Sequence, residues 1–146
     1  MKGLENLTKL QLDNNIIYKI QNLDHLVHLT WLDLSFNQIE KVENLDNLVN
    51  LTDLTLYSNK IRFVSGLEKL NQLNVLSLGN NLIKNYNGED GIVPYLRSLN
   101  NKLEVLTLMG NDCAKHNAFE YKYYTVAFLE KLKYLDYELI DKSLRI

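Results

Sequence analysis

Apolar residues recur along this chain in two alternating rhythms. Leu7, Leu10 and Leu12 are followed by Asn15 and Ile17, and the same spacing returns at Leu29, Leu32, Leu34, Asn37 and Ile39. It returns again at Leu51, Leu54, Leu56, Asn59 and Ile61, at Leu73, Leu76, Leu78, Asn81 and Ile83, and at Leu103, Leu106, Leu108, Asn111 and Cys113. The last two leucines of each set are separated by one residue, so they face one way while that residue faces the other. Each set therefore predicts a short strand. After each asparagine the apolar residues stand three apart: Ile20, Leu23, Leu26 and Leu29; Val42, Leu45, Leu48 and Leu51; Val64, Leu67, Leu70 and Leu73. Positions i and i+3 eclipse in a 3₁₀ turn and share a face, so these stretches predict short helical turns.

A strand and a turn repeating every 22 residues cannot bury its apolar side alone, and stacking the copies closes a continuous core. The motif L-x-x-L-x-L-x-x-N-x-I/C is that of leucine-rich repeats. The expected fold is an α/β solenoid: a right-handed curved array with a short parallel sheet on its concave side, short helical or 3₁₀ segments on its convex side, and a C-terminal cap. One domain is expected over 1–146, with repeats starting near 7, 29, 51, 73 and 103 and a cap over 114–146. Phe119, Tyr121, Tyr123, Tyr124 and Phe128 read as a helix over the last open core, and Leu132, Leu135 and Tyr137 as a degenerate sixth strand. At the other end, Gly3 to Leu7 reads as the close of a convex segment whose strand is absent. The expectation is a fragment of a longer array with an N-terminal edge that frays.

The asparagine column, Asn15, Asn37, Asn59, Asn81 and Asn111, reads as a structural ladder. A buried amide offers two donors and an acceptor to backbone groups left unpaired where a strand turns. The spacing from Leu73 to Leu103 is 30 residues, eight beyond the period. Within it, Asn85 to Gly91 forms a turn-rich acidic loop and Ile92 to Leu99, with Pro94, a helical turn. It reads as a surface bulge or a lateral contact.

Residues alternating with the strand leucines form the concave face. Lys9, Trp31, Asp53, Val75, Val105 and Tyr134 make one column, and Gln11, Asp33, Thr55, Ser77, Thr107 and Asp136 the next. Asp13, Ser35, Tyr57, Gly79, Met109 and Glu138 make the third. Trp31 and Tyr57 thus stand near Asp33 and Asp53, and aromatics beside charges on a polar sheet are what interface anchors look like. Isolated apolar residues on a surface are also ordinary, but the sole tryptophan points outward, which favours a protein-binding patch of Trp31, Asp33, Asp53 and Tyr57. Phe36 is expected to pack at the strand's edge.

Composition narrows the class further. With 46% hydrophobic residues and a net charge of −2, there is no basic excess to suggest nucleic acid. No apolar run approaches the roughly 20 residues that span a bilayer, and MKGLENLTKL lacks a signal-peptide core. The single cysteine, Cys113, occupies the ladder's isoleucine position and is expected to be a small buried group in a reducing compartment. The sequons Asn6-Leu7-Thr8 and Asn50-Leu51-Thr52 carry no meaning without secretion. Catalytic patterns are weak. His25 and His28 stand three apart on a convex segment expected to face water, with no third ligand spaced for a metal. Asp33 and Asp53 form a possible carboxylate pair, but a smooth sheet implies no pocket. His116 follows Cys113, yet a buried thiol argues against a nucleophile. Enzymatic activity, a cofactor, a metal and a small-molecule substrate are therefore not expected.

Beyond the repeat class, Leu10–Ile17 (LQLDNNII), Trp31–Glu40 (WLDLSFNQIE), Leu76–Asn81 (LSLGNN), Tyr95-Leu96-Arg97 and Leu132–Tyr137 (LKYLDY) carry a resemblance. Together they resemble the leucine-rich-repeat domain of the subunit 3 family of the dynein regulatory complex, the axonemal nexin–dynein link. The tail from Tyr121 to Ile140 resembles the cap of this repeat class, with Glu130 where a proline is expected. The resemblance implies a non-catalytic subunit of the linker that controls dynein-driven sliding of doublet microtubules. Its partners would be other axonemal linker subunits, and its place the cytoskeleton of a cilium or flagellum. A cytoplasmic adaptor of the phosphatase-regulatory, tubulin-cofactor or dynein light-chain type would share the same concave-face logic.

Overall fold

The computed structural model describes residues 3–145. Met1, Lys2 and Ile146, the outermost residues of the expected domain, lie outside them. The strands are β1 (Lys9–Gln11), β2 (Trp31–Asp33), β3 (Asp53–Thr55), β4 (Val75–Ser77), β5 (Val105–Thr107), β6 (Tyr134–Leu135) and β7 (Glu138–Leu139). They form one sheet in chain order, parallel from β1 to β6. The register follows the repeat: Leu10, Leu32, Leu54, Leu76, Leu106 and Leu135 align across the sheet. Three-residue strands suffice because each turn of the coil contributes only the L-x-L face, and the leucines of neighbouring turns stack into one layer. Leu32, Leu54, Leu76 and Leu106 are wholly buried, as are Leu26, Leu29, Leu48 and Leu51 from the convex side.

The convex spacing by threes is realised as successive i→i+3 turns. Leu26 N donates to Leu23 O and Leu29 N to Leu26 O, and Leu48, Leu51, Leu70 and Leu73 repeat the pattern. Regular helix forms elsewhere, at α1 (Ile92–Ser98) in the long spacer and at α2 (Asp112–Lys115) and α3 (Ala118–Phe128) over the core's end. A 3₁₀ turn at Lys142–Leu144 follows β7. Pro94 occupies the first turn of α1, where no backbone N–H is required.

Two departures from expectation shape the C-terminal part. The sixth strand stops at Leu135, because Asp136 and Tyr137 both take positive φ (51° and 69°) and turn the chain back into antiparallel β7. Asp136 and Glu138 therefore do not continue the concave columns. Asp136 accepts from Leu108 N (2.6 Å), Met109 N (2.8 Å) and Tyr121 Oη (2.9 Å), and so joins the last full repeat to the cap. The long spacer, for its part, is no free bulge. Tyr95 of α1 donates from its hydroxyl to Glu68 and accepts from Leu67 N. Tyr86 meets Tyr121 and Tyr124 edge-on at 5.8 and 5.3 Å, and Arg97 lies 5.0 Å from the centre of the Phe128 ring. The insertion is braced between the third repeat and α3.

Candidate protein-binding surface

The concave face is built from positions that the parallel register places side by side. Trp31 lies opposite Lys9 on one neighbouring strand and Asp53 on the other, and Asp33 lies between Gln11 and Thr55. Parallel strands sit about 4.8 Å apart, so Trp31 and Asp53 adjoin and Asp33 stands diagonal to Asp53. All four sequence-derived candidates, Trp31, Asp33, Asp53 and Tyr57, are partly exposed. Both carboxylates are oriented locally. Asp33 Oδ1 accepts from Ser35 N at 2.9 Å and from the Ser35 hydroxyl, and Asp53 Oδ2 accepts from Thr52 Oγ1 at 2.7 Å. Neither forms an ion pair among the described residues.

Tyr57 lies just beyond β3, its ring laid against the backbone of the next repeat. A β-carbon at Gly79 would stand 2.7 Å from Tyr57 Cε2, so the bare glycine is what allows this placement. The other side of the ring meets Phe36, with centroids 5.7 Å apart and planes at 60°. Phe36 does more than pack at the strand's edge. It is 51% exposed, and it has φ of 53°. The same left-handed turn precedes every ladder asparagine, at Asn14, Phe36, Ser58, Asn80 and Gly110. Left-handed backbone costs a residue with a β-carbon about 1 to 2 kcal/mol, least for asparagine and aspartate. A phenylalanine in that column, neither buried nor suited to its backbone, is a candidate contact residue that the leucine pattern does not reveal. Comparing the residues just before each ladder asparagine singles it out.

The ladder amides face the opposite way, into the turns. Asn37, Asn59, Asn81 and Asn111 each accept through Oδ1 from the N–H of Ile17, Ile39, Ile61 and Ile83 of the preceding repeat, at 2.9–3.0 Å. Each donates through Nδ2 to carbonyls of its own and the preceding repeat, as Asn59 does to Leu56 O and Leu34 O. Asn15 is exposed and donates only to Leu12 O and Asp13 O.

The remaining candidates are scattered. Burial, with Asp136 nearby adding to it, pushes the Cys113 thiol up to about 12, so it stays protonated at neutral pH and is no nucleophile. His28 is exposed, but His25 is partly buried with Nε2 shielded, contrary to the expectation that both face water. Among the described residues no group of three or more His, Cys, Asp or Glu side chains could hold a metal ion, and no helix is long and apolar enough to cross a membrane. A cavity of about 300 Å³ opens between α1 and α3, lined by Leu96, Arg97, Leu103 and Phe128. It lies away from the sheet.

Comparison with known proteins matches the family described as "Leucine Rich repeats (2 copies)" to residues 27–69. A chain of the Drosophila melanogaster SNF/U2A′ complex is similar at 30% identity and a TM-score of 0.81, over 94% of this chain and 76% of that one. An internalin (inlF) from Listeria monocytogenes is similar at 30% identity and 0.71, over 94% of this chain and 36% of its own. The functional domain of InlJ from the same organism shares the fold at 19% identity and 0.63, over 96% and 33%. No curated protein sequence matches this one significantly.

Proposed function

As the chain belongs to the leucine-rich-repeat family, we propose that it is a non-catalytic protein–protein interaction scaffold that holds its partner on the concave sheet. Trp31, Asp33, Asp53 and Tyr57 are the contact residues. The carrying observation is the aromatic and acidic patch: Trp31 flanked by Asp53 across the strands and Asp33 along its own, with Tyr57 propped beside them on Gly79. Such a sheet offers area and anchors, with charges at their rim. A relative that is found in a complex with another protein, SNF/U2A′, supports this reading.

The finer proposal is that the protein serves the nexin–dynein regulatory complex of a cilium or flagellum, where it helps to control dynein-driven microtubule sliding. This part rests on the resemblance carried by Leu10–Ile17, Trp31–Glu40 and Leu132–Tyr137. Affinity capture or proximity labelling in ciliated cells tests it, run beside a Trp31→Ala/Tyr57→Ala variant. Axonemal linker subunits should be recovered, and the double change should weaken their recovery. A phosphatase or a tubulin-folding protein in their place would move the protein to the cytoplasmic adaptor class. Recovery of the same partners by both forms would place binding off the concave sheet.

A further inference from the structure

The concave face is polarised along the solenoid. Its first three repeats carry the carboxylates Asp13, Asp33 and Asp53 together with Trp31, Phe36 and Tyr57, and Lys9 is the sole cation in these columns. The next two repeats present Val75, Ser77 and Val105, which are uncharged, and Thr107 of the same face is buried. At the far end Asp136 is consumed by two backbone N–H groups and Tyr121. The acidic residues nearer the start are differently placed. One oxygen of each is held by a neighbour, Asp13 by Asn14 Nδ2, Asp33 by Ser35 and Asp53 by Thr52, and none meets a cation among the described residues. Carboxylates held in place with one oxygen unclaimed, beside flat aromatic rings, complement a guanidinium or an ammonium whose stem lies on the rings.

Phe36 supplies the second observation. It stands half exposed in a left-handed turn whose equivalents are Asn14, Ser58, Asn80 and Gly110. Neither core burial nor backbone preference accounts for it, and residues held in such backbone cluster at functional sites. We infer that the partner docks through a basic, amphipathic segment. Its arginine or lysine side chains meet Asp33 and Asp53, its apolar side chains cover Phe36, Tyr57 and Trp31, and Phe36 is a principal anchor. This inference rests on the concave-face reading above and adds the chemistry of what binds there.

A randomised peptide library displayed on phage, selected on the full chain, tests it. Selected peptides should be enriched in arginine or lysine flanked by apolar residues. Affinity for one of them should fall roughly tenfold or more in Phe36→Asn. The melting temperature of that variant should hold or rise, because asparagine suits the left-handed turn. Asp33→Asn/Asp53→Asn should weaken the same peptide and flatten its salt dependence. Neutral or acidic peptides that still depend on Trp31 and Tyr57 would overturn the basic partner and leave the concave site standing. Peptides indifferent to Trp31→Ala/Tyr57→Ala would overturn both, and unchanged affinity in Phe36→Asn would remove the anchor. A library that yields no binder also counts against the inference.

Discussion

At the scale of single residues, the asparagine ladder joins each repeat to the next, whereas the aromatic patch belongs to the second and third repeats alone. Asn59 takes the N–H of Ile39 at 2.9 Å and serves the carbonyls of Leu34 and Leu56, so truncating it orphans groups in two repeats at once. Asn59→Ala should cost about 1 to 3 kcal/mol, the penalty for buried backbone groups left without partners. Asn15, exposed and bonded only within its own turn, should cost less than about 1 kcal/mol when changed to alanine. Chemical denaturation of the two variants side by side measures the difference, and equal losses would contradict the ladder as a device that joins repeats. Gly79 belongs to the other class. Its lack of a side chain positions Tyr57 rather than the core.

At the scale of elements, the long spacer changes meaning once it is folded. Read along the chain, Asn85 to Leu99 is an insertion of surface character. In space, α1 is tied to the third repeat through Tyr95 and Glu68 and to α3 through Arg97 and Phe128, while Tyr86 in the loop before α1 meets the rings of α3. Burial foremost, then the Glu68 carboxylate, pushes the Tyr95 hydroxyl above the ordinary phenol range, so it remains a donor to Glu68 at any pH near neutrality. Tyr86→Ala removes both edge-on contacts to α3. It should destabilise the protein by about 2 kcal/mol, since each aromatic pair is worth about 0.5 to 1.5 kcal/mol beyond its buried area. Hydrogen exchange should then quicken in α1 and α3 together. Loosening of α1 alone would mean that the brace does not reach the cap.

At the scale of the whole molecule, a solenoid is held by neighbours, and its stability follows how many neighbours each turn has. Leu54 on β3 is wholly buried, whereas Leu7, Leu10, Leu12 and Ile17 around β1 are only partly covered. Ile16 and Tyr18 stand 80% and 76% exposed beside them. Exchange over residues 7–17 should therefore be much faster than over β3 and β4, with local opening well below the free energy of global unfolding. Strong protection across residues 7–17 would show that this edge is stabilised by contacts other than those of β2. The opposite end differs because α3 and the Asp136 hairpin cover it.

What periodicity controls was legible in the chain before any folding. The 22-residue spacing forces each repeat to superpose on the next, so the strand register and the columns holding Trp31, Asp33, Asp53 and Tyr57 follow from position alone. The ladder asparagines obey the same arithmetic, each one period from the last until the insertion. Only the tertiary structure decided what the period leaves free. Phe36 turns outward because the tight turn before the asparagine demands a left-handed φ, and Tyr57 lies flat because Gly79, a full repeat later, leaves room. Asp136 leaves its column because two positive φ angles reverse the chain, and the long spacer loses its freedom to aromatic rings far along the sequence. Phe36 and Tyr57 depend on which side chain stands at one place in the period, whereas the Asp136 turn and the brace of the spacer depend on contacts between residues whose spacing no repeat constrains, and all of these contacts exist only once the coil has closed.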